Sequence, residues 1–512
     1  MSGVEGQVRA FSFRKAGIWN RLKTLGVFDV LFIIVLLISL WSRISRFDYP
    51  LSNHETSRDY LVSHHIVKYG EWPLVGPHNG ALNLPVNSPV YFYALAGLLE
   101  ISDNIMFLEA VNIFLQLLSI AAVYFLGRLI FSAQTGVVAA SLFASSYLVM
   151  AESSSLWQPF VMLTFVNLAF VFLALSYKMR SYFFCFLAGF FLVFSASLHI
   201  SAFTIFPAFL MIEFLILRDQ KQKMLNILNV YIFQLVWLLL FFAPTVYFNL
   251  VYPNMNSGSF GKFDLNPSAI FVSFASISVR FAGIKPAFLF FGVLASVYLY
   301  FLKRKKDSRQ KFFLGLMILG IIQVLLLTLF SGFTIQDYYF SPIFGIWAIV
   351  ISELIAGSFQ NGYWLLPLKF ILIILLIKAF SWNFALFKEH RVLSGSTQIE
   401  DITKVIADKA ADSNFQFAVT ENGDKHPTDA IFWVPLEDRL SKKFTTVNNV
   451  GNSYAVDNSS DYIFLVCKSY TSIAEVNGQC LDPFLAKESS LYTFVDIIYD
   501  RYPFSILLLK KS

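Results

Sequence analysis

Leu25-Gly-Val-Phe-Asp-Val-Leu-Phe-Ile-Ile-Val-Leu-Leu-Ile-Ser-Leu-Trp-Ser-Arg-Ile-Ser45 is an apolar run, and beyond it stands His54-Glu55-Thr56-Ser57-Arg58-Asp59-Tyr60. A hydrocarbon core of about 30 Å takes roughly 20 helical residues to cross. The run, read as a span from about 25 to 45, therefore crosses once and delivers a dense cluster of titratable groups to the membrane boundary. Two carboxylates, an arginine and a histidine at such a boundary call for a compensating use. Comparable runs recur to near residue 385, in a chain of 512 residues that is 56% hydrophobic and 14% charged and holds 57 Phe. That composition excludes an ordinary soluble domain. The net charge of +6 lies mostly in short interhelical loops, and no basic patch interleaved with aromatics points to a nucleic-acid partner.

Orientation follows from the basic residues. Residues 1–24 carry Arg9, Arg14, Lys15, Arg21 and Lys23 against Glu5 alone, which places a basic N-terminus in the cytoplasm. No small-residue cleavage site follows the first run, so it reads as a retained span. The long loop 46–103 is then external. Within it, residues 88–101 are apolar but too short to cross, and read as an interfacial helix. Further spans are expected near 104–127, 135–151, 157–176, 182–198, 200–217, 226–250, 287–302, 311–330, 340–357 and 364–385. Arg128, Lys178, Arg180, Arg218, Lys221, Lys223 and Lys303-Arg304-Lys305-Lys306 mark the cytoplasmic turns.

The predicted fold class is a polytopic α-helical membrane protein of about eleven spans, with a transmembrane domain over 25–387. The odd count puts a C-terminal extracytoplasmic α/β domain, 388–512, outside. There, Thr397–Ala411 reads as an amphipathic helix, Phe415–Thr420 and Tyr462–Cys467 as strands, and Tyr492–Ile498 as strand or helix. Cys185 reads as inert packing. Cys467 and Cys480 either pair, if that domain meets an oxidising compartment, or remain two thiols.

This topology brings Glu55, Arg58, Asp59, Glu152, Trp157, Gln158, His199, Asp337, Tyr338 and Tyr339 to one side of the membrane. On that side stand acids that can take a proton, a cation that can hold a phosphate and aromatics that can face a sugar ring. The competing reading makes each a solvated loop group or an interfacial anchor. Glu55, Arg58 and Asp59 stand at i, i+3 and i+4, so a helix through them would carry all three on one face; the alternative is an ion pair that steadies a loop. His54, His64, His65 and His78 lack the i, i+4 spacing of a helical ligand pair, so a divalent metal is not indicated, and that alternative stays open. His199, at a hairpin tip, fits a polar cap. Lys378, an ammonium inside the last span, either snorkels or faces a lipid phosphate.

Glu55-Thr-Ser-Arg58-Asp59, the Gly70-Glu-Trp-Pro-Leu-Val-Gly-Pro77 stretch and Tyr91-Phe-Tyr93 together resemble the first external loop of the GT-C glycosyltransferases. The likeness is to the bacterial branch that includes protein O-mannosyltransferases and the lipid A aminoarabinose transferase. The resemblance implies a glycosyltransferase that takes a hexosyl or pentosyl unit from a polyprenyl-phosphate carrier. Its acceptor would be a lipid, glycan or protein hydroxyl on the extracytoplasmic face of the cell membrane, reached with inversion and without a cofactor. It assigns the catalytic acid/base position to Glu55, with Asp59 beside it. Donor-phosphate binding falls to Arg58, Lys262, Arg280, Lys285 and Lys378, and substrate contact to Glu152, Trp157, His199, Tyr338 and Tyr339.

The chain departs from the family pattern in three places. His54-Glu55 replaces the usual Asp-Glu, Asn87-Ser88-Pro89 stands where Lys-Pro-Pro is common, and Glu152 alone represents the acid of the second loop. Two alternatives stay open: a transporter or lipid-binding membrane protein without chemistry, and a glycan ligase using a diphosphate-linked donor. Transporters show repeats and midplane polar groups, neither of which the sequence displays.

Overall fold

The computed structural model describes residues 26–44, 54–77, 87–146, 149–150, 156–219, 224–252, 308–330, 337–359, 396–410, 415–421, 424–425, 436, 438–440, 461–468, 476–482, 492–501 and 504–511. The expected spans near 287–302 and 364–385, and the basic N-terminus, lie outside them.

The helical part runs α1 Val27–Ile44, α2 His54–Tyr69, α3 Val90–Ile101, α4 Ile105–Ile130, α5 Ala133–Ser145, α6 Gln158–Met179, α7 Tyr182–Leu198, α8 Phe206–Asp219, α9 Met224–Val251, α10 Ser308–Phe330 and α11 Phe344–Phe359. Among the described residues, five helices are long and apolar enough to cross a membrane: 27–44, 106–130, 158–179, 200–218 and 225–251. The apolar stretch 88–101, too short to cross, forms the helix α3. The span expected at 135–151 is shorter as a continuous helix: α5 ends at Ser146, whose backbone is extended.

Local chemistry sets the boundaries. The Asn104 side chain accepts from the Met106 N–H at 2.9 Å and starts α4; Ser132 does the same for α5 through the Thr135 N–H at 3.1 Å. Between these two helices, a Cβ on Gly127 would come within 2.9 Å of Gly136 Cα, so the hairpin closes only because both positions lack side chains. Arg180, at φ 51°, turns the chain out of α6 in the left-handed conformation. At the other end of α7 the extended His199 stops the helix, and a 3-10 turn, Ile200–Ile205, leads into α8. The span expected at 340–357 likewise opens on a 3-10 turn, Asp337–Ile343, before α11. Two interrupted elements thus place His199 and Tyr338-Tyr339 on irregular backbone at helix entrances.

One core cluster runs from Phe32 through Tyr124, Phe143, Phe170, Phe209 and Phe344, all under a tenth exposed, and includes Phe464 and Ile506. At one end of α1, Asp29 accepts from Tyr124 at 2.5 Å and pairs with Arg128, tying α1 to α4. At the opposite end of the α4–α6 layer begins the stretch that carries the site.

In the C-terminal part, α12 Ser396–Ala410 precedes a five-stranded sheet of order β2-β1-β3-β5-β4, from β1 Phe415–Glu421, β2 Asp424–Lys425, β3 Tyr462–Lys468, β4 Tyr492–Arg501 and β5 Phe504–Lys511. β1 and β3 are parallel, with Phe417 opposite Phe464; β3 and β5 are antiparallel, with Leu465 opposite Leu507. The stretch 492–498, open between strand and helix on sequence, is strand, and β5, to which the pattern assigned no element, is the next strand in from the edge. Cys467, on β3, is bonded to Cys480, with the two Cα atoms 5.9 Å apart. The open alternative of two thiols is closed in favour of the disulfide.

Candidate active site at the helix entrances

His54-Glu55-Thr56-Ser57-Arg58-Asp59-Tyr60 is the first part of α2, so Glu55, Arg58 and Asp59 share a face. Asp59 is fully buried and both its oxygens are engaged. Arg58 donates to Oδ1 from Nε at 3.0 Å and from Nη2 at 2.8 Å, and Gln158 Nε2 donates to Oδ2 at 2.6 Å. Burial holds the Asp59 carboxyl above its ordinary range, against the lowering pull of Arg58 and Gln158; the Glu55 charge adds to the rise. Arg58 is half-buried, and Asp59 occupies only part of its five-donor guanidinium. The helix is fixed from behind by Ser63, whose hydroxyl lies 2.7 Å from Asp59 O and 3.2 Å from Phe92 O on α3.

Gln158 is the first residue of α6, with Pro159 behind it. The Leu156-Trp157 approach is pinned by Tyr91 of α3, whose hydroxyl donates to Leu156 O at 2.6 Å. Ser341 in the second 3-10 turn donates to Pro159 O at 3.3 Å, which brings that turn against the same entrance. Trp157 meets Tyr338 edge-on with ring centroids 4.7 Å apart, and Tyr338 stacks on Tyr339 at 4.8 Å. His199 lies 5.9 Å from Tyr338 and 5.4 Å from Tyr339, centroid to centroid. Burial raises the Tyr339 hydroxyl, and the nearby Glu55 charge contributes to the rise. Burial pushes His199 down to about 4, so it is neutral at physiological pH.

Glu55, Arg58, Asp59, Trp157, His199, Tyr338 and Tyr339, separated by up to 284 positions in sequence, therefore form one contiguous patch. Glu152, Lys262, Arg280, Lys285 and Lys378 lie outside the described residues. Asn87 and Ser88, in place of the expected Lys-Pro, act as backbone clamps, donating to Pro77 O at 2.5 Å and to Phe241 O at 2.6 Å. On sequence, Gln158 stands on the external side without a role, and Tyr91 enters only as part of the Tyr91-Phe-Tyr93 motif. The signal for Gln158 was its place beside a proline at a helix start, where a side chain faces back toward the preceding loop. Among the described residues, no group of three or more His, Cys, Asp or Glu is placed to hold a metal.

The patch of one cation, two carboxylates and an aromatic wall is carried on a helical bundle with an appended sheet, a fold that solved structures share. The chain aligns with ArnT from Cupriavidus metallidurans in the apo state over 94% of its own length and 97% of that chain, with TM-score 0.58 and 11% identity. It aligns with the same protein bound to undecaprenyl phosphate over 96% and 98%, with TM-score 0.56 and 10% identity. A weaker likeness, TM-score 0.49 at 13% identity, links it to the oligosaccharyltransferase AglB from Archaeoglobus fulgidus in complex with an inhibitory peptide and a dolichol-phosphate, over 90% of this chain and 70% of that one. No family profile and no curated protein sequence matches the chain.

Proposed function

We propose that the protein is a multi-pass glycosyltransferase of the cell membrane that moves a sugar from a polyprenyl-phosphate carrier to an acceptor hydroxyl on the extracytoplasmic face, with inversion. The single observation that carries this reading is the convergence of Glu55, the Arg58–Asp59–Gln158 unit and the Trp157–Tyr338–Tyr339 wall at one helix entrance. The fold shared with ArnT, whose structure holds undecaprenyl phosphate, supports the donor class. The Cys467–Cys480 bridge supports a C-terminal domain in an oxidising compartment, hence outside, with the N-terminus in the cytoplasm.

In this mechanism Glu55 accepts the proton of the acceptor hydroxyl as its oxygen attacks the anomeric carbon. The bond from that carbon to the carrier's phosphate oxygen breaks, and the electron pair leaves with the carrier monophosphate. A phosphate leaves without protonation, so one base and one cation suffice. Arg58 offers the phosphate the donors that Asp59 does not use. Asp59 is reassigned from its expected catalytic place to positioning: buried and accepting three hydrogen bonds, it has no free face for a substrate proton but fixes the guanidinium. Acceptor identity, lipid, glycan or protein, falls to groups beyond this patch.

Purified protein supplied with undecaprenyl phosphates bearing different sugars should show turnover. Glu55→Gln should lower it by about 10²–10⁴-fold, the range for a lost general base, with an unchanged melting temperature. Transfer by that variant at the parent rate removes Glu55 from the chemistry.

A further inference from the structure

His199 carries a second reading beyond its backbone role. Its Nδ1 lies 3.3 Å from the Ser201 backbone N–H, which donates to it, and 2.8 Å from the Ser201 hydroxyl. An amide N–H has no acceptor lone pair, so Nδ1 must be bare to receive it. The hydroxyl has another option at 3.5 Å, the Met162 thioether, but sulfur is a weak acceptor, and the imidazole nitrogen takes the bond. Both Ser201 donors thus hold the ring in one tautomer, with its proton on Nε2. The ring is 8% exposed, which disfavours the imidazolium and keeps the donor neutral. Among the described residues, no group accepts from Nε2, although the ring lies against Tyr338 and Tyr339.

We propose that His199 is a specificity-determining residue, whose fixed, uncharged Nε2–H donates to a neutral oxygen of the glycosyl unit, a hydroxyl or the ring oxygen, held against the Tyr338–Tyr339 wall. This rests on the reading of the patch as a sugar-transfer site, and it divides the donor between two kinds of group. The half-exposed Arg58 cation suits the phosphate, because guanidinium and phosphate form charge-assisted bonds. A neutral donor among aromatic rings suits an uncharged polyol, because the rings cover its C–H face while one hydrogen bond sets its orientation. A buried donor that loses its acceptor is left unsatisfied, which is how such a site rejects a ligand lacking the matching oxygen.

The test measures binding and not only turnover. Affinities of undecaprenyl phosphate and of undecaprenyl phosphates bearing a neutral hexose or an aminopentose are compared for the parent, His199→Phe and His199→Gln. The expected result is that His199→Phe weakens the best glycosylated carrier at least 10-fold and leaves the bare carrier within 2-fold. His199→Gln, which keeps an N–H donor, should recover part of the loss. Equal loss for both carriers, or no loss for either, overturns the assignment. Nitrogen NMR of histidine-labelled protein gives a readout that does not depend on any variant folding: a protonated Nδ1 with a bare Nε2, or a ring that titrates between pH 5 and 8, overturns it equally. Selective loss of glycosylated-carrier binding with no transfer to any acceptor would count against the transferase reading alone.

Discussion

The two ends of α2 carry the same pair of groups in opposite surroundings. Near its start, Arg58 meets Asp59 at 2.8 Å; in its last turn, Lys68 meets Asp438 of the C-terminal part at 2.7 Å. Both cations are 31% exposed, and the carboxylates are 0% and 54% exposed. Distance is therefore not what separates them. At the buried end the carboxylate cannot be rehydrated if its partner is removed, and it must be held by Arg58 and Gln158 together. At the open end water can replace either partner, and His64, 3.6 Å from Asp438, is a further neighbour. A structural pair tolerates the second setting; the first is costly, and its retention next to Glu55 and the aromatic wall marks the end of the helix where chemistry is expected.

Breaking the buried end should give the largest effect. Arg58→Met leaves Asp59 with Gln158 as its remaining side-chain donor, and loss of the charge-assisted bonds should cost about 1.5–3 kcal/mol. Thermal unfolding of purified protein in detergent would show this as a lowered midpoint, together with loss of affinity for undecaprenyl phosphate. An unchanged midpoint would mean that the pair stabilises nothing.

Asp59→Asn should change how stability depends on pH. Because burial raises the folded-state pKa of Asp59 above 3.8, the folded protein holds that proton more tightly than the unfolded chain. The contribution of this group is then fully present below the unfolded value and is lost as pH rises through the folded one. The parent midpoint should thus fall, for this group, as pH rises above the unfolded value of 3.8, and the asparagine variant should lack that slope. Its activity should still drop, by on the order of 10²-fold, because a guanidinium displaced by an ångström no longer meets the phosphate. A steeper slope in the variant than in the parent would reverse the assignment.

The helical bundle was legible wherever hydropathy and length agree, as for α4, α6 and α9, whose bounds lie within a few residues of expectation. Less was legible where the backbone is irregular. The 3-10 turn at Ile200–Ile205 shares the largely apolar composition of the helix it precedes, so composition does not separate the two; the turn at Asp337–Ile343 carries Pro342, a local signal that an apolar span over 340–357 passes over. The face shared by Glu55, Arg58 and Asp59 was legible because it depends only on helical period. The Asp59–Gln158 bond was not, because it joins residues 99 apart through the packing of α2, α3 and α6. Similarly, β5 reads as one more apolar run, and only its pairing between β3 and β4 makes it a strand.

The open end of α2 sharpens the comparison with the smallest effect. Lys68→Met removes a surface pair whose contribution should not exceed about 1 kcal/mol, and whose attraction is screened by salt. At low ionic strength the midpoint should fall by no more than a few degrees, and at 0.5 M salt the variant and parent should coincide. Arg58→Met, measured beside it, should keep its deficit at both salt concentrations, because the Asp59 carboxylate is shielded from the ions. Equal salt sensitivity in the two variants would show that burial does not distinguish the two ends, and the case for a special role at the Glu55 end would lose its energetic support.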